Sequence, residues 1–197
     1  MKKKEKVEIV FILDRSGSMG GLESDTIGGY NSFIESKKDL DAKLTTVLFD
    51  DKIEILHDRV DIKEVKKLTN KDYYVRGCTA LMDAIGITIN KISKESKDRK
   101  VIFVITTDGL ENASREYSKS KIKKMIENKK DWEFLYLGAN IDSYGEASSI
   151  GIRKDRTSNY KSSKKGTRQM FAALECAVGR IAANEKLDDS WNEELEN

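Results

Sequence analysis

The chain has 197 residues, 36% of them charged, but 36 Lys and Arg against 34 Asp and Glu leave a formal net charge of only +2. That length holds one well-buried domain and is short for two, and the near-cancellation of charge argues against nucleic acid as a partner, which calls for a clustered basic face. Cys78 and Cys176, the only cysteines, lie far apart without metal-ligand spacing and read as reduced thiols of a cytoplasmic protein.

Met1 to Lys6 is basic and precedes an apolar run. The run contains Glu8, ends at Leu13 and is followed by no small-residue cleavage site, so it reads as no secretory leader. No stretch approaches the ~20 apolar residues of a membrane span, so no membrane partner is expected. The sequence has no proline, and neither a Gly/Ser-rich linker nor an internal repeat divides it. The expectation is one domain over residues 1–184 and an acidic tail over 185–197.

Val7 to Leu13 is nearly all apolar with little alternation, the pattern of a strand buried on both faces of a parallel sheet. Leu22, Ile27, Tyr30, Phe33 and Ile34 follow at helical spacing up to Lys38. Leu44 to Phe49 reads as a second strand and Lys52 to Val60 as a third. Only Asp50 and Asp51 separate them, which predicts a hairpin, and the charges Lys52, Glu54 and Asp58 mark the third strand as an antiparallel edge. A short helix is expected over Ile62 to Leu68, then an irregular segment from Thr69 to Thr79. Leu81, Ile85, Thr88 and Ile92 mark a helix face, and Val101 to Thr107 a second buried strand. The pattern continues with a Lys-rich amphipathic helix over Ser118 to Asn128, a strand over Trp132 to Gly138 and a short helix over Ser143 to Ile150. A weak edge strand is placed within Ile152 to Tyr160, and Met170, Leu174, Ala177, Val178 and Ile181 give the last long helix. This alternation predicts a doubly wound, Rossmann-like α/β domain. In the acidic end, Leu187, Trp191 and Leu195 fall at i, i+4 and i+8, which suits either a docked helical turn or a detachable partner-binding segment.

The chemistry concentrates where the first buried strand ends. Open α/β sheets place their ligands outside the carboxyl ends of strands, and there the chain sets a carboxylate at Asp14 and hydroxyls at Ser16 and Ser18 around a Gly17 turn. An oxygen-only donor set suits a hard divalent cation such as Mg2+. The second buried strand also ends at a carboxylate, Asp108, so the two strands can build one site between them.

Asp14-Arg15-Ser16-Gly17-Ser18 after a buried strand, Thr79 in Arg76-Gly77-Cys78-Thr79-Ala80-Leu81 before a helix, and Asp108 in Thr106-Thr107-Asp108-Gly109 after a second strand together resemble the von Willebrand factor type A domains and their metal-ion-dependent adhesion site. The resemblance covers residues 5 to 184. It implies a three-layer sandwich with a mostly parallel six-stranded sheet and one antiparallel edge. It also implies that Ser16 and Ser18 bind the metal directly, Thr79 directly or through water, and Asp14 and Asp108 mainly through water or hydrogen bonds. The metal it implies is Mg2+, with Mn2+ or Ca2+ as alternatives, and its last coordination position is taken by an Asp or Glu of a protein partner. Physical chemistry agrees: carboxylates held one step back leave the ion electrophilic and seeking one more anionic oxygen. Ser18 to Asn31 and Leu137-Gly138-Ala139-Asn140 look like the small free-standing members of this family in bacteria and phages.

Plainer readings stand beside this one. Asp14 and Ser16 alone could cap a helix, as could Thr79, and Asp108-Gly109 alone could be a turn. His57 reads as a surface or pairing residue, Cys78 as a filler too soft for an oxygen site, and the Lys119 to Lys130 run as a solvated face. Asp83, one turn after Thr79, is expected to support the loop or cap an amide. The function expected is a non-enzymatic, metal-dependent protein-binding module. The alternative is an Mg2+-dependent phosphohydrolase or phosphotransferase with Asp14 as nucleophile, weakened by Ser16 where a second Asp is wanted and by the lack of a P-loop. Self-association is a further expectation, with Glu193, Glu194 or Glu196 of the acidic end reaching a neighbour's metal.

Overall fold

The computed structural model describes residues 5–196. Six strands, β1 (Val7–Asp14), β2 (Ala42–Phe49), β3 (Ile53–Asp61), β4 (Lys100–Thr107), β5 (Glu133–Ala139) and β6 (Thr157–Tyr160), form one sheet in the order β3-β2-β1-β4-β5-β6. Every neighbouring pair is parallel except β2 with β3. The antiparallel edge falls where the short Asp50 and Asp51 gap predicts it.

The continuous apolar runs reflect burial on both faces. Along β1, Val7, Ile9, Phe11 and Leu13 enter one core and Val10 and Ile12 the other; β4 divides likewise, with Ile102 and Val104 opposite Val101, Phe103 and Ile105. The first core is covered by α1 (Glu23–Ser36) and α5 (Lys164–Ala182), and the second by α2 (Leu81–Glu95), α3 (Lys119–Glu127) and α4 (Ser143–Ser149). Phe11 anchors the first core, meeting the rings of Tyr30, Phe33 and Phe171 at centroid distances of 5.6, 5.5 and 6.0 Å.

Glu8, the charge inside the first apolar run, is fully buried and accepts from Arg59 Nε and Nη2 at 3.1 Å and from Ser96 Oγ at 3.2 Å. Arg59 reaches it from an irregularity in β3, where its φ of 51° breaks the ladder. A buried carboxylate survives because it is paired and hydrogen-bonded. His57 packs half-buried on the same strand, its Nδ1 3.3 Å from the Tyr30 hydroxyl, and burial lowers its pKa against the opposing charge of Asp72.

Two expectations need correcting. The helix expected over Ile62 to Leu68 is only a 3-10 turn, Ile62–Glu64, followed by extended chain. Asn31 explains why: its side chain accepts from Leu68 N at 2.7 Å and donates to Leu68 O at 2.9 Å, satisfying that backbone without a helix. Cys78 is no filler; it is exposed and free.

The acidic end packs on the domain. A 3-10 turn (Asp189–Asn192) and the short α6 (Glu193–Glu196) bury Leu187, Trp191 and Leu195 against the first core. Trp191 Nε1 donates to Asp155 O at 3.2 Å and Asn192 Nδ2 to Thr157 O at 3.3 Å, tying the segment to β6 and the turn before it. Asn197, the first four residues and the side chains of Asp189 and Glu196 lie outside the described part of the chain. No helix among the described residues is long and apolar enough to cross a membrane.

Candidate metal centre

β1 is the strand from which the chain departs to both sides of the sheet, with β2 on one flank and β4 on the other. The crevice at its carboxyl end is therefore the switch point where an open α/β sheet accommodates a ligand. Parallel register sets Leu13 opposite Thr106, so Asp14 and Thr107 leave the sheet at the same level. Asp14 is fully buried and held from two sides: its Oδ2 accepts from Thr107 Oγ1 at 2.6 Å and its Oδ1 from Ser16 N at 2.7 Å. The second bond closes a tight turn that carries Ser16 and Ser18 upward, their hydroxyls 3.1 Å apart.

Ser18 Oγ donates to Asp108 Oδ1 at 2.5 Å, linking the β1 turn to the β4 turn. The other oxygen, Asp108 Oδ2, is buried without a hydrogen-bond partner. A buried carboxylate oxygen left unsatisfied is costly, and a divalent cation is one group that would satisfy it. Gly109 locates Thr79 relative to this pair: a Cβ built there would stand 3.1 Å from Thr79 Oγ1 and 3.2 Å from Ser18 Oγ. Both hydroxyls thus lie beside Gly109, where a side chain would crowd them. Asp14, Ser16, Ser18, Thr79 and Asp108, scattered along the sequence, come together at one place.

Residues that sequence reasoning passed over fix Thr79 there. Its N–H donates to Asn112 Oδ1 at 2.9 Å, and its carbonyl accepts from the N–H groups of Asn112 and Ala113 at 3.0 and 3.2 Å. Glu111 caps the start of α2 through Met82 N at 2.9 Å and also accepts from Ser114 N at 2.7 Å. Asp83 answers from α2, accepting from Arg115 N at 2.8 Å and from Glu116 N and Tyr117 N at 2.9 Å, so its role is to hold this loop. On the other side the segment before Thr79 zips to the β1 turn through Arg76 N to Arg15 O at 2.9 Å and Gly17 N to Gly77 O at 3.2 Å. Gly77 sits at φ 65°, where a side chain would be strained and a Cβ would strike Asp51. Below, the Tyr73 hydroxyl donates to Asp14 O at 2.6 Å.

The electrostatics match a cation-seeking site. Burial pushes the Asp14 carboxyl up to about 6 against the hydrogen bonds from Ser16 and Thr107, with the Asp108 charge adding a smaller push. Burial likewise raises Asp108, opposed by Ser18. Both shifts carry the sign that a nearby divalent cation reverses. The donor set of three hydroxyls and two carboxylates fits a hard cation. Only two of its five side chains are carboxylates, and no group of three or more His, Cys, Asp or Glu that could hold a metal occurs among the described residues.

No protein-family model and no curated protein matches the sequence. Solved structures do match the fold. The chain is similar to manganese-loaded TRAP protein of Plasmodium vivax (TM-score 0.63, 20% identity, 81% of this chain and 70% of that one). It is similar to a von Willebrand factor type A protein from Catenulispora acidiphila (TM-score 0.61, 13% identity, 87% of this chain and 44% of that one). A third likeness is to the vWF domain of the type V pili tip protein Mfa5 from Porphyromonas gingivalis (TM-score 0.68, 10% identity, 95% of this chain and 99% of that one). Of some longer neighbours the chain spans only part, 46% of proximal thread matrix protein 1 from the mussel byssus and 63% of the PilB minor pilin from Streptococcus sanguinis. At these identities the likeness establishes the fold, which is that of the von Willebrand factor type A domains.

Proposed function

We propose that this von Willebrand factor type A fold serves as a metal-dependent protein-binding module. A divalent cation, Mg2+ by preference and Mn2+ or Ca2+ as alternatives, would be held by the hydroxyls of Ser16, Ser18 and Thr79, with Asp14 and Asp108 balancing its charge. The observation that carries this reading is Asp108 Oδ2, buried without a partner on the carboxylate whose other oxygen accepts from Ser18 Oγ. Once bound, the ion would supply Lewis-acidic attraction for one more anionic oxygen, and an Asp or Glu of a protein partner is the group expected to provide it. Ser18, Gly17 and Cys78 are exposed, so a partner can reach the site from solvent.

Among the neighbours, the TRAP structure is described as manganese-loaded and Mfa5 as a type V pili tip protein; the first of these descriptions supports a divalent cation in the reading proposed here. The free, exposed thiols of Cys78 and Cys176 support placement in a reducing, cytoplasmic compartment. Self-association is a variant of the same chemistry, since Glu193 and Glu194 are exposed on the docked acidic end. Sedimentation of Glu193→Gln/Glu194→Gln that is identical to wild type in Mg2+ dismisses that variant.

The test of the main reading is calorimetric titration with MgCl2 and MnCl2. Wild type takes up one ion and Ser16→Ala/Ser18→Ala takes up none with the fold intact; equal affinity in the two overturns the assignment. A phosphatase screen covers the catalytic alternative, because turnover in Mg2+ that Asp14→Ala abolishes would replace the binding function with an enzymatic one.

A further inference from the structure

The surface around the candidate centre carries more information than the cation itself. Among the described residues, the large apolar side chains that stand well into solvent are Ile55, Tyr74 and Leu110. Tyr74, 43% exposed, and Leu110, 56% exposed, lie on the two segments that deliver Thr79 and Asp108. Isolated apolar residues on a surface need no explanation, but these two lie five residues before Thr79 and two after Asp108.

Tyr74 is also held in place. The guanidinium of Arg15 lies 5.6 Å from its ring centroid and that of Arg76 5.3 Å, and Arg76 Nη1 donates to the Tyr74 hydroxyl at 3.2 Å. Asp50 Oδ2 fixes both cations, accepting from Arg15 Nε at 3.0 Å and Arg76 Nε at 2.7 Å. Arg15 is buried, whereas the Arg76 side chain is 37% exposed. An aromatic ring clamped by cation–π contacts loses little freedom on binding, and Tyr with Arg is the composition of interface anchors. Leu110 stands on an equally fixed loop, since the next two residues, Glu111 and Asn112, are bonded to Met82 and Thr79.

We propose that Tyr74, Arg76 and Leu110 form the docking rim of the centre and select an acidic protein segment in which the metal-seeking Asp or Glu is flanked by aliphatic side chains. The inference rests on the cation reading above and adds the character of the partner. Tyr74 and Leu110 receive the flanking side chains, and the Arg76 guanidinium, paired through Nε with Asp50, holds the Tyr74 ring for that contact while the ion attracts the acidic group.

The test uses the full chain and three peptides, Gly-Leu-Glu-Leu-Gly, Gly-Ser-Glu-Ser-Gly and Gly-Leu-Gln-Leu-Gly, titrated by NMR in MgCl2 and in EDTA. The expected result is binding of the Leu-flanked Glu peptide about fivefold tighter than the Ser-flanked one, the gain from partial burial of two aliphatic side chains. The Gln peptide binds more weakly than its Glu counterpart. In Tyr74→Ser/Leu110→Ser the flank preference disappears while calorimetric Mg2+ affinity stays at the wild-type value. If Mg2+ binds and the two Glu peptides bind equally, or neither binds, the rim is overturned and the centre stands. If calorimetry finds no Mg2+ bound, the centre itself falls; a flank preference that persists in EDTA then keeps the rim without the ion.

Discussion

Asp14→Asn is expected to make the cation-free protein more stable. Asp14 is fully buried, and burial lifts its carboxyl from an ordinary 3.8 to about 6. A carboxyl raised on folding disfavours the folded state once it ionises: stability is fully present below the unfolded pKa and is lost as pH rises through the folded one. From those two values the penalty in wild type is about 1 kcal/mol at pH 4.5 and about 3 kcal/mol at pH 8. Asn removes the ionisation without losing hydrogen bonds. Its carbonyl can still accept from Ser16 N, and its amide can donate to Thr107 Oγ1, whose proton can turn to Gly109 O 3.2 Å away. Urea unfolding in EDTA should therefore show Asp14→Asn more stable than wild type by up to about 3 kcal/mol at pH 8 and by about 1 kcal/mol at pH 4.5. Added MgCl2 should reverse the order, since a ligand that binds only the folded state stabilises it by mass action. A variant less stable than wild type in EDTA at pH 8, or an equal response of both proteins to MgCl2, would refute the reasoning.

Gly109→Ala places a methyl 3.1 Å from Thr79 Oγ1 and 3.2 Å from Ser18 Oγ, so calorimetry should show Mg2+ affinity reduced by about tenfold or more with little change in melting temperature. Asp83→Ala frees the N–H groups of Arg115, Glu116 and Tyr117; denaturant unfolding should show a loss of about 2 to 4 kcal/mol, with hydrogen exchange faster in that loop first. Trp191→Ala removes the anchor of the docked acidic end, and a loss of about 3 kcal/mol with early proteolysis after Lys186 is expected; an unchanged cleavage pattern would mean the segment is held otherwise.

The sheet was legible in the sequence because strands buried on both faces write continuous apolar runs, as β1 and β4 do, and because the short gap between β2 and β3, Asp50 to Lys52, leaves room only for a hairpin. The Ile62 to Leu68 segment misled because Ile62, Val65 and Leu68 fall at a helix-like spacing and are indeed buried. Their burial is achieved by extended chain clamped through Asn31, a contact made from 31 to 68 that no local pattern records. That Asp14, Ser16, Ser18, Thr79 and Asp108 lie near one another was legible from short motifs, four residues at strand ends and Thr79 before a helix, while the metal they would hold is proposed. Glu111, Asn112 and Tyr73, which hold those residues in position, were not, since their bonds cross between loops and leave no periodicity to read. Cys78 was misjudged for a related reason: Thr79 turns inward to the centre while its neighbour faces solvent.

The most direct test is an anomalous-difference map from crystals of the wild-type chain soaked in MnCl2. The account predicts one peak per chain, within bonding distance of the hydroxyls of Ser16, Ser18 and Thr79 and next to Asp108 Oδ2. No peak there, or the ion bound elsewhere on the molecule, would contradict it.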